Sequence, residues 1–436
     1  MSGPRHRLRR AWAGASAALA GAACAAGQPS IASEFSEVEH TRLVQHSPLP
    51  DPPADPTNRH ADDGGAARLG QFLFFDPRFS SDGRVSCATC HMPEKSFADG
   101  KPLGEGVSRG TRNTPALWNV AYNRWFQWDG KNDTLWAQAL GPLERLHEIG
   151  GTRTGIARAI HDDAELRRAY ERVFGRLPDL GDEARFPRAA CPRPEQPTHP
   201  HAAAWARMSI EDRDAVNRVF ANAGKALAAY QRKLLSRGAA FDRFVEGLRE
   251  NDDRKLGALA PAARRGARLF VGRAQCRVCH LGPNFTSGEF HDTGVPPRNG
   301  GPPTDAGRFA GVELLARDPF NAAGDYSDER DGAIADKVRR VSRHPQAWGQ
   351  FKVPSLRNVA KTAPYMHQGQ FATLREVVRF YSTREGAVFG GHHPQETILQ
   401  PLNLTDAEID DLVAFLESLT DEAIDEWLKK APRSPQ

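Results

Sequence analysis

The sequence predicts a mostly α-helical chain in which one small helical unit occurs twice, with helical and loop insertions around it. Three observations predict this. Ala66, Ala67, Arg68, Gly70, Leu73 and Phe74 return at the same spacing as Ala262, Ala263, Arg264, Gly266, Leu269 and Phe270, and duplication of a domain is the economical source of such a repeat. Each copy leads into a Cys-x-x-Cys-His pentapeptide, Cys87 to His91 and Cys276 to His280. Apolar residues fall at helical spacing over 156–174, 210–235 and 409–419, while no stretch of any length alternates as a strand does. Composition narrows the class further. A chain of 436 residues suffices for two or three domains, and 39% hydrophobic with 26% charged residues excludes a polytopic membrane protein. A net charge of +4, from 58 Lys+Arg against 54 Asp+Glu, leaves no bulk electrostatic case for nucleic-acid binding.

In chain order, Arg5, Arg7, Arg9 and Arg10 precede a short apolar run from Ala11 to Ala23. This is the layout of a secretory signal whose hydrophobic stretch is too short to span a bilayer, so residues 1–26 are expected to direct export to a bacterial periplasm and to be removed. Cys24 follows Gly21-Ala22-Ala23 as in a lipoprotein cleavage site. A lipid anchor at Cys24, the one membrane attachment the sequence suggests, and ordinary cleavage both stand open. Residues 27–60 are rich in Pro, Ser, His and charge without an apolar period and read as a linker. The two repeats then define an amino-terminal domain over 61–250 and a carboxy-terminal domain over 251–425, with 426–436 as a tail. Thr405 and Glu408 form a capping box ahead of Ile409, Leu412, Val413, Leu416 and Leu419, one apolar face of the final helix.

Cys-x-x-Cys-His is the attachment pattern of c-type haem: the two thiols add to the vinyl groups and the next residue supplies the proximal imidazole. A thioredoxin-like redox pair or half a zinc site would not require His after the second Cys, let alone twice. Cys87, Cys90, Cys276 and Cys279 are therefore the expected attachment thiols of two covalent haems c, with His91 and His280 as iron ligands, and the two units read as cytochrome c-like domains. Cys191, within the Pro-rich stretch from Pro187 to Pro200, reads as an incidental free thiol.

Two such units in one exported chain resemble the bacterial di-haem cytochrome c peroxidase family, which includes the MauG enzymes. The resemblance spans about 60 to 425 and rests on Ser86-Cys87-Ala88-Thr89-Cys90-His91, Arg112-Asn113-Thr114-Pro115, Trp128-Asp129-Gly130, Gln138 to Pro142, Pro354-Ser355-Leu356-Arg357-Asn358-Val359 and Ala363-Pro364-Tyr365-Met366-His367. It implies a peroxide-reactive amino-terminal haem and an electron-transferring carboxy-terminal one, with Arg112 and Arg357 among the cofactor-binding residues. On the distal side of the first haem it implies Gln138 holding water or peroxide, Pro142 limiting the cavity and Glu148 as the catalytic proton carrier. Taken alone, Glu148 reads as a solvated surface carboxylate, and the motif alignment reverses that reading. His147 is a rival base, and adjacent side chains are expected to diverge so that only one faces the haem. Trp128 matches the relay residue between the haems, whereas Trp125 reads as packing.

Two departures from the reductively activated members matter. No His lies between His91 and His147, and the loop position that carries the displaceable ligand holds Glu105. The first haem is thus expected to keep an open or water-occupied site, with Glu105 ligation the weaker alternative. At the second haem the distal position holds Tyr381, as in MauG. Leu374, Val377, Val378 and Tyr381 share one face behind a Thr373/Glu376 capping box, so a core tyrosine and a phenolate ligand both remain open, with Met366 as the thioether alternative and His367 outside the iron's own ligands. The resemblance also implies calcium, through the Asn113 side chain and the Thr362 and Pro364 carbonyls.

These readings favour a periplasmic di-haem peroxidase that reduces hydrogen peroxide to water at the His91 haem, with electrons from a small periplasmic cytochrome c or copper protein relayed through the His280 haem. Two alternatives stand beside it: a MauG-like enzyme that oxidises residues of a partner protein through a high-valent di-haem state, and a non-catalytic di-haem electron carrier. The carrier needs both irons closed by two protein ligands, and the sequence offers no obvious second ligand for the first.

Overall fold

The computed structural model of the chain describes residues 1, 3, 31–389 and 399–435. Apart from Met1 and Gly3, the expected export signal lies outside them, and so does Cys24. The chain is mostly helical. In order come α1 (Glu37–Val44), α2 (Gly64–Phe75), α3 (Cys87–Cys90), α4 (Leu135–Glu144), α5 (Arg153–Asp162), α6 (Ala164–Phe174), α7 (Pro200–Arg207), α8 (Ile210–Gln231), α9 (Ala240–Glu250), α10 (Asp253–Leu256), α11 (Pro261–Val271), α12 (Arg308–Arg317), α13 (Ala333–Arg340), α14 (Leu374–Thr383) and α15 (Asp406–Glu417). One short antiparallel pair, β1 (Phe290–His291) and β2 (Phe351–Lys352), is registered Phe290 to Lys352. Among the described residues no helix is long and apolar enough to cross a membrane.

The repeat seen in the sequence is a repeat of helix crossings. Asp63 caps α2 by accepting from the Ala66 N–H at 2.7 Å. The helix then packs across α8, so closely that a Cβ on Gly70 would stand 1.8 Å from the Ala226 carbonyl oxygen. In the second unit α11 crosses α15 in the same way, and a Cβ on Gly266 would stand 1.9 Å from the Asp411 carbonyl oxygen. The repeated glycine is thus the close-approach position of each unit. Around the first crossing, Leu69, Phe74, Trp136, Leu140, Ile156, Phe220 and Leu227 form one buried core. Around the second, Phe244, Leu248, Phe270, Leu412 and Phe415 form another, each large apolar side chain contributing roughly 1.5–3 kcal/mol by its removal from water.

Packing joins the segments at three boundaries. Residues 31–60 are not a free linker: α1 begins at a Ser36/Glu39 capping box, and Phe35 and Leu43 are buried in the second core. Two or three apolar residues among polar ones make no period, yet they suffice to dock a helix on a preformed surface. Just before the division at 250, Phe241, Phe244, Val245 and Leu248 of α9 pack into the second core, while Leu234 packs into the first. Finally, the tail returns to the first unit. Leu428 is buried there, Gln71 donates to the carbonyls of Trp427 and Lys430 at 2.5 and 3.0 Å, and the Tyr230 hydroxyl donates to the Leu428 carbonyl at 2.5 Å.

Candidate active site

Each Cys-x-x-Cys-His segment forms a single tight turn that ends in a histidine. In the first, the Ser86 N–H donates to the Thr89 hydroxyl at 3.0 Å and the His91 N–H to the Cys87 carbonyl at 2.9 Å. In the second, the His280 N–H closes on the Cys276 carbonyl at 3.0 Å. Each ring is then oriented from behind: His91 Nδ1 lies 3.1 Å from the Phe97 carbonyl and His280 Nδ1 2.9 Å from the Phe285 carbonyl. A carbonyl only accepts, so Nδ1 carries the proton and Nε2 keeps its lone pair, the tautomer an iron ligand needs. Burial lowers both imidazoles, His280 to about 4, which keeps them neutral. Both turns open into one continuous cavity of about 680 Å³ that contains His91, Cys90, His280, Cys276 and Cys279 in its wall. Unpaired thiols beside an oriented imidazole, twice, on one large cavity fit two covalent haems c.

On the first side, α4 is capped by Thr134, whose hydroxyl accepts from the Ala137 N–H at 3.2 Å, and brings Gln138 and Pro142 to the cavity. The chain then turns, with the Glu148 N–H on the Arg145 carbonyl at 3.0 Å, and presents Glu148 to the same space. Arg145 Nη1 donates to Glu148 Oε1 at 2.7 Å. Burial raises the Glu148 carboxyl, but Arg145, with Lys131 and His147, outweighs it and holds the group below its ordinary range. His147 does not diverge as expected. It also lines the cavity, with Nε2 3.6 Å from Glu148 Oε1, because the turn brings the imidazole back beside the carboxylate. Glu105 also lines the cavity, but its carboxylate pairs with Lys101 at 2.7 Å and is about half exposed, while its backbone bridges to Arg109.

On the second side, Thr373 and Glu376 form the expected capping box of α14. Leu374 and Val378 pack into the core, and Tyr381 with Val377 turns to the cavity that holds His280. On balance burial raises the Tyr381 phenol, outweighing its hydrogen bond with Thr293 and the charge of Arg384. Arg384 Nη2 donates to the Thr293 carbonyl at 2.9 Å, while its Nε and Nη1 are buried without a partner. Met366 also lines the cavity. His367 stacks on Phe351 at 3.8 Å between ring centroids.

Between the two sides, Trp128 is held from both units. Its indole N–H donates to the Asn113 carbonyl at 2.9 Å, its own carbonyl accepts from the Lys352 N–H at 2.8 Å, and the Asn113 N–H donates to the His367 carbonyl at 2.8 Å. Trp125 is packing, as expected: Lys337 and Arg308 lie over its ring at 4.0 and 4.3 Å. The arginines are more committed than the resemblance implied. Arg112 pairs with Asp129 at 2.5 Å and, through two bonds of 2.7 and 2.8 Å, with Asp305. The Arg357 side chain is 0% exposed and holds Asp242 at 2.8 and 2.9 Å with the Pro283 carbonyl at 2.8 Å. Its guanidinium is bonded to protein while the residue also lines the cavity that holds His280; Asp242 lies on α9, assigned from the sequence to the other domain. Asn113 Nδ2 donates to the carbonyls of Lys101 and Pro364 at 2.8 and 3.4 Å. Among the described residues no cluster of three or more His, Cys, Asp or Glu could hold a metal ion.

Sequence reasoning missed three cations in the cavity wall. Arg145 is one, and Lys131, 19% exposed and lowered by burial to about 8, is another. Lys352, on β2, is likewise lowered by burial to about 8. Lone basic residues carry no pattern, so only their convergence in space marks them.

A sequence profile described as di-haem cytochrome c peroxidase matches residues 65–250, and a cytochrome c profile matches 263–420. The chain is 31% identical over 388 residues to cytochrome-c peroxidase IdrP1 of Denitromonas iodatirespirans, covering 86% of this chain and 85% of that one. It is 30% identical to methylamine utilization protein MauG of Methylorubrum extorquens, over 87% and 83% of the two chains. The crystal structure of the diheme peroxidase BthA from Burkholderia thailandensis superposes with a TM-score of 0.61 at 25% identity, covering 84% of this chain and 89% of that one.

Proposed function

The chain belongs to the di-haem cytochrome c peroxidase family, and on that premise we propose that it is a periplasmic enzyme reducing hydrogen peroxide to water at the His91 haem. The observation that carries this reading is the first pocket, where Glu148, Gln138 and Pro142 open onto the cavity that receives His91. When bound, the haem pair supplies the iron that takes a peroxide oxygen and the electrons that cleave the O–O bond. The protein supplies the proton path and the fit. Glu148, ionised beside Arg145, accepts a proton from one peroxide oxygen and returns it to the other. The Gln138 amide orients peroxide by hydrogen bonding, and Pro142, with no N–H of its own, narrows the space without adding a donor. Trp128, tied to both units by hydrogen bonds, is the relay for electrons that a small periplasmic cytochrome c or copper protein delivers at the second unit.

The position of Tyr381 favours a second reading. A phenol turned to the His280 cavity, beside Thr293 and Arg384, is placed to serve as a phenolate ligand once iron offsets the burial that raises it. Phenolate favours oxidised iron, which would let the enzyme hold oxidising equivalents for residues of a partner protein. Calcium belongs to this proposal too. With its amide turned over, Asn113 would offer Oδ1 beside the Pro364 carbonyl, the Thr362 carbonyl being the further oxygen the resemblance implies, and metal analysis of dialysed holoprotein should find it. The peroxidase reading is tested by Glu148→Gln, which should keep both haems but slow the reaction with peroxide about a hundredfold. An unchanged rate, with the loss appearing in His147→Ala, moves the proton to His147.

A further inference from the structure

Arg145 has a place too specific for a surface cation. It follows the last residue of α4, its N–H still bonded to the Gly141 carbonyl at 3.2 Å, and its side chain folds back along the helix. The guanidinium lies where a side chain at 141 would be: a Cβ there would stand 2.5 Å from Nη2 and 3.1 Å from Cζ. Glycine at 141 leaves that room, and a larger residue would push the guanidinium aside. The Arg145 carbonyl closes the next turn by accepting from the N–H groups of Glu148 and Gly150 at 3.0 and 2.9 Å. The charge is therefore held by helix behind and by Glu148 beside it, Nη1 to Oε1 at 2.7 Å. No other hydrogen bond to the described residues engages the guanidinium. It joins Gln138, Pro142, His147 and Glu148 in the cavity wall, with Asp129 and Asp318 as more distant counter-charges and Lys131 as the nearby like charge.

We propose that Arg145 is a catalytic residue of the peroxide reaction, donating hydrogen bonds to the outer peroxide oxygen while it holds Glu148 as the proton carrier. This rests on the peroxidase reading above. In the step, Glu148 takes the proton of the oxygen nearer the iron and returns it to the outer oxygen. The O–O bond breaks, and the outer oxygen leaves with the bonding pair and two protons as water. The electrons are those the haem pair supplies and the donor protein later replaces. Negative charge builds on the outer oxygen before the proton arrives, and a preorganised cation aimed at that position stabilises it where water is excluded.

The same guanidinium would stabilise any small anion on that iron, which gives a readout independent of turnover. Fluoride is titrated into the resting oxidised holoenzyme and followed optically, in wild type, Arg145→Leu and Arg145→Lys, with haem content measured in each. Arg145→Leu should weaken fluoride at least about tenfold and slow the peroxide reaction roughly a hundredfold, and Arg145→Lys should recover part of the fluoride affinity by restoring the charge. Fluoride affinity in Arg145→Leu within about twofold of wild type, or an unchanged peroxide rate, overturns the proposal. If the leucine variant does not load haem, Arg145→Gln is read by the same criteria. Wild-type enzyme inert to peroxide would sink the peroxidase reading and the catalytic role with it, whereas fluoride separately reports whether Arg145 faces the ligand.

Discussion

At Glu148 burial and charge pull in opposite directions, and the pair it forms with Arg145 decides the outcome. Because its pKa is held below the ordinary carboxylate value of 4.5, the base form is present above that range and is lost as pH falls through it. The rate of the peroxide reaction should therefore stay level through neutral pH and drop only in acid, and Arg145→Leu should move that drop upward, as stopped-flow profiles would show. Glu105 bears on the resting state. With its carboxylate paired with Lys101, Glu105 is engaged elsewhere than in a ligand role, so oxidised enzyme should show high-spin iron at the first site and react with peroxide without prior reduction. Low-spin spectra at both sites, with reaction only after half-reduction, would contradict this. Tyr381→Phe should change the spectrum of the second haem while leaving both covalent attachments in place; an unaltered spectrum would make Tyr381 a core tyrosine.

Among the elements, the crossings of α2 with α8 and α11 with α15 bear the closest contacts. Gly70 and Gly266 stand where a methyl group would overlap a backbone carbonyl, and backbone cannot swing aside as a side chain can. Gly70→Ala and Gly266→Ala should each cost about 1–3 kcal/mol or more, read as a fall in denaturant midpoint, with the damage greater for core packing than for haem attachment. Helices with strong end signals are legible in the sequence. The Thr373/Glu376 and Thr405/Glu408 boxes start α14 and α15 where the residues indicate. By contrast α1 has a capping box too, but its single fully buried residue, Leu43, makes no apolar stripe, so its docking on the second core could not be read from its own residues.

For the whole molecule, the ends of the chain tie the units together. The tail leaves the second unit and supplies carbonyl partners to Tyr230 and Gln71 in the first, while residues 31–46 leave the amino terminus and pack on the second. Deleting 424–436 strands those buried groups and removes Leu428 from the core, so it should destabilise the first unit by about 1–3 kcal/mol for each unpaired group. Calorimetry would show a lower transition, and an unchanged one would mean the tail only rests there. Arg357 and Asp242 form the corresponding lock inside the second unit, with the His46 carbonyl 3.4 Å from Nη2.

What the sequence determined by itself was covalent and local: two Cys-x-x-Cys-His segments, the duplicated helix with its glycine, and the capped helices that begin after Thr373 and Thr405. Such features depend on residues a few positions apart, where spacing and side-chain type suffice to dictate geometry. The tertiary structure alone decided which charges meet. Arg357 meets an aspartate more than a hundred residues earlier in the chain, Arg112 meets Asp305 across 193 positions, and Lys352 of the second unit lies in the wall of the same cavity as Glu148. Burial and charge pairing depend on distance in space rather than along the chain, so a lone basic or acidic residue shows its role only once the chain has folded around it.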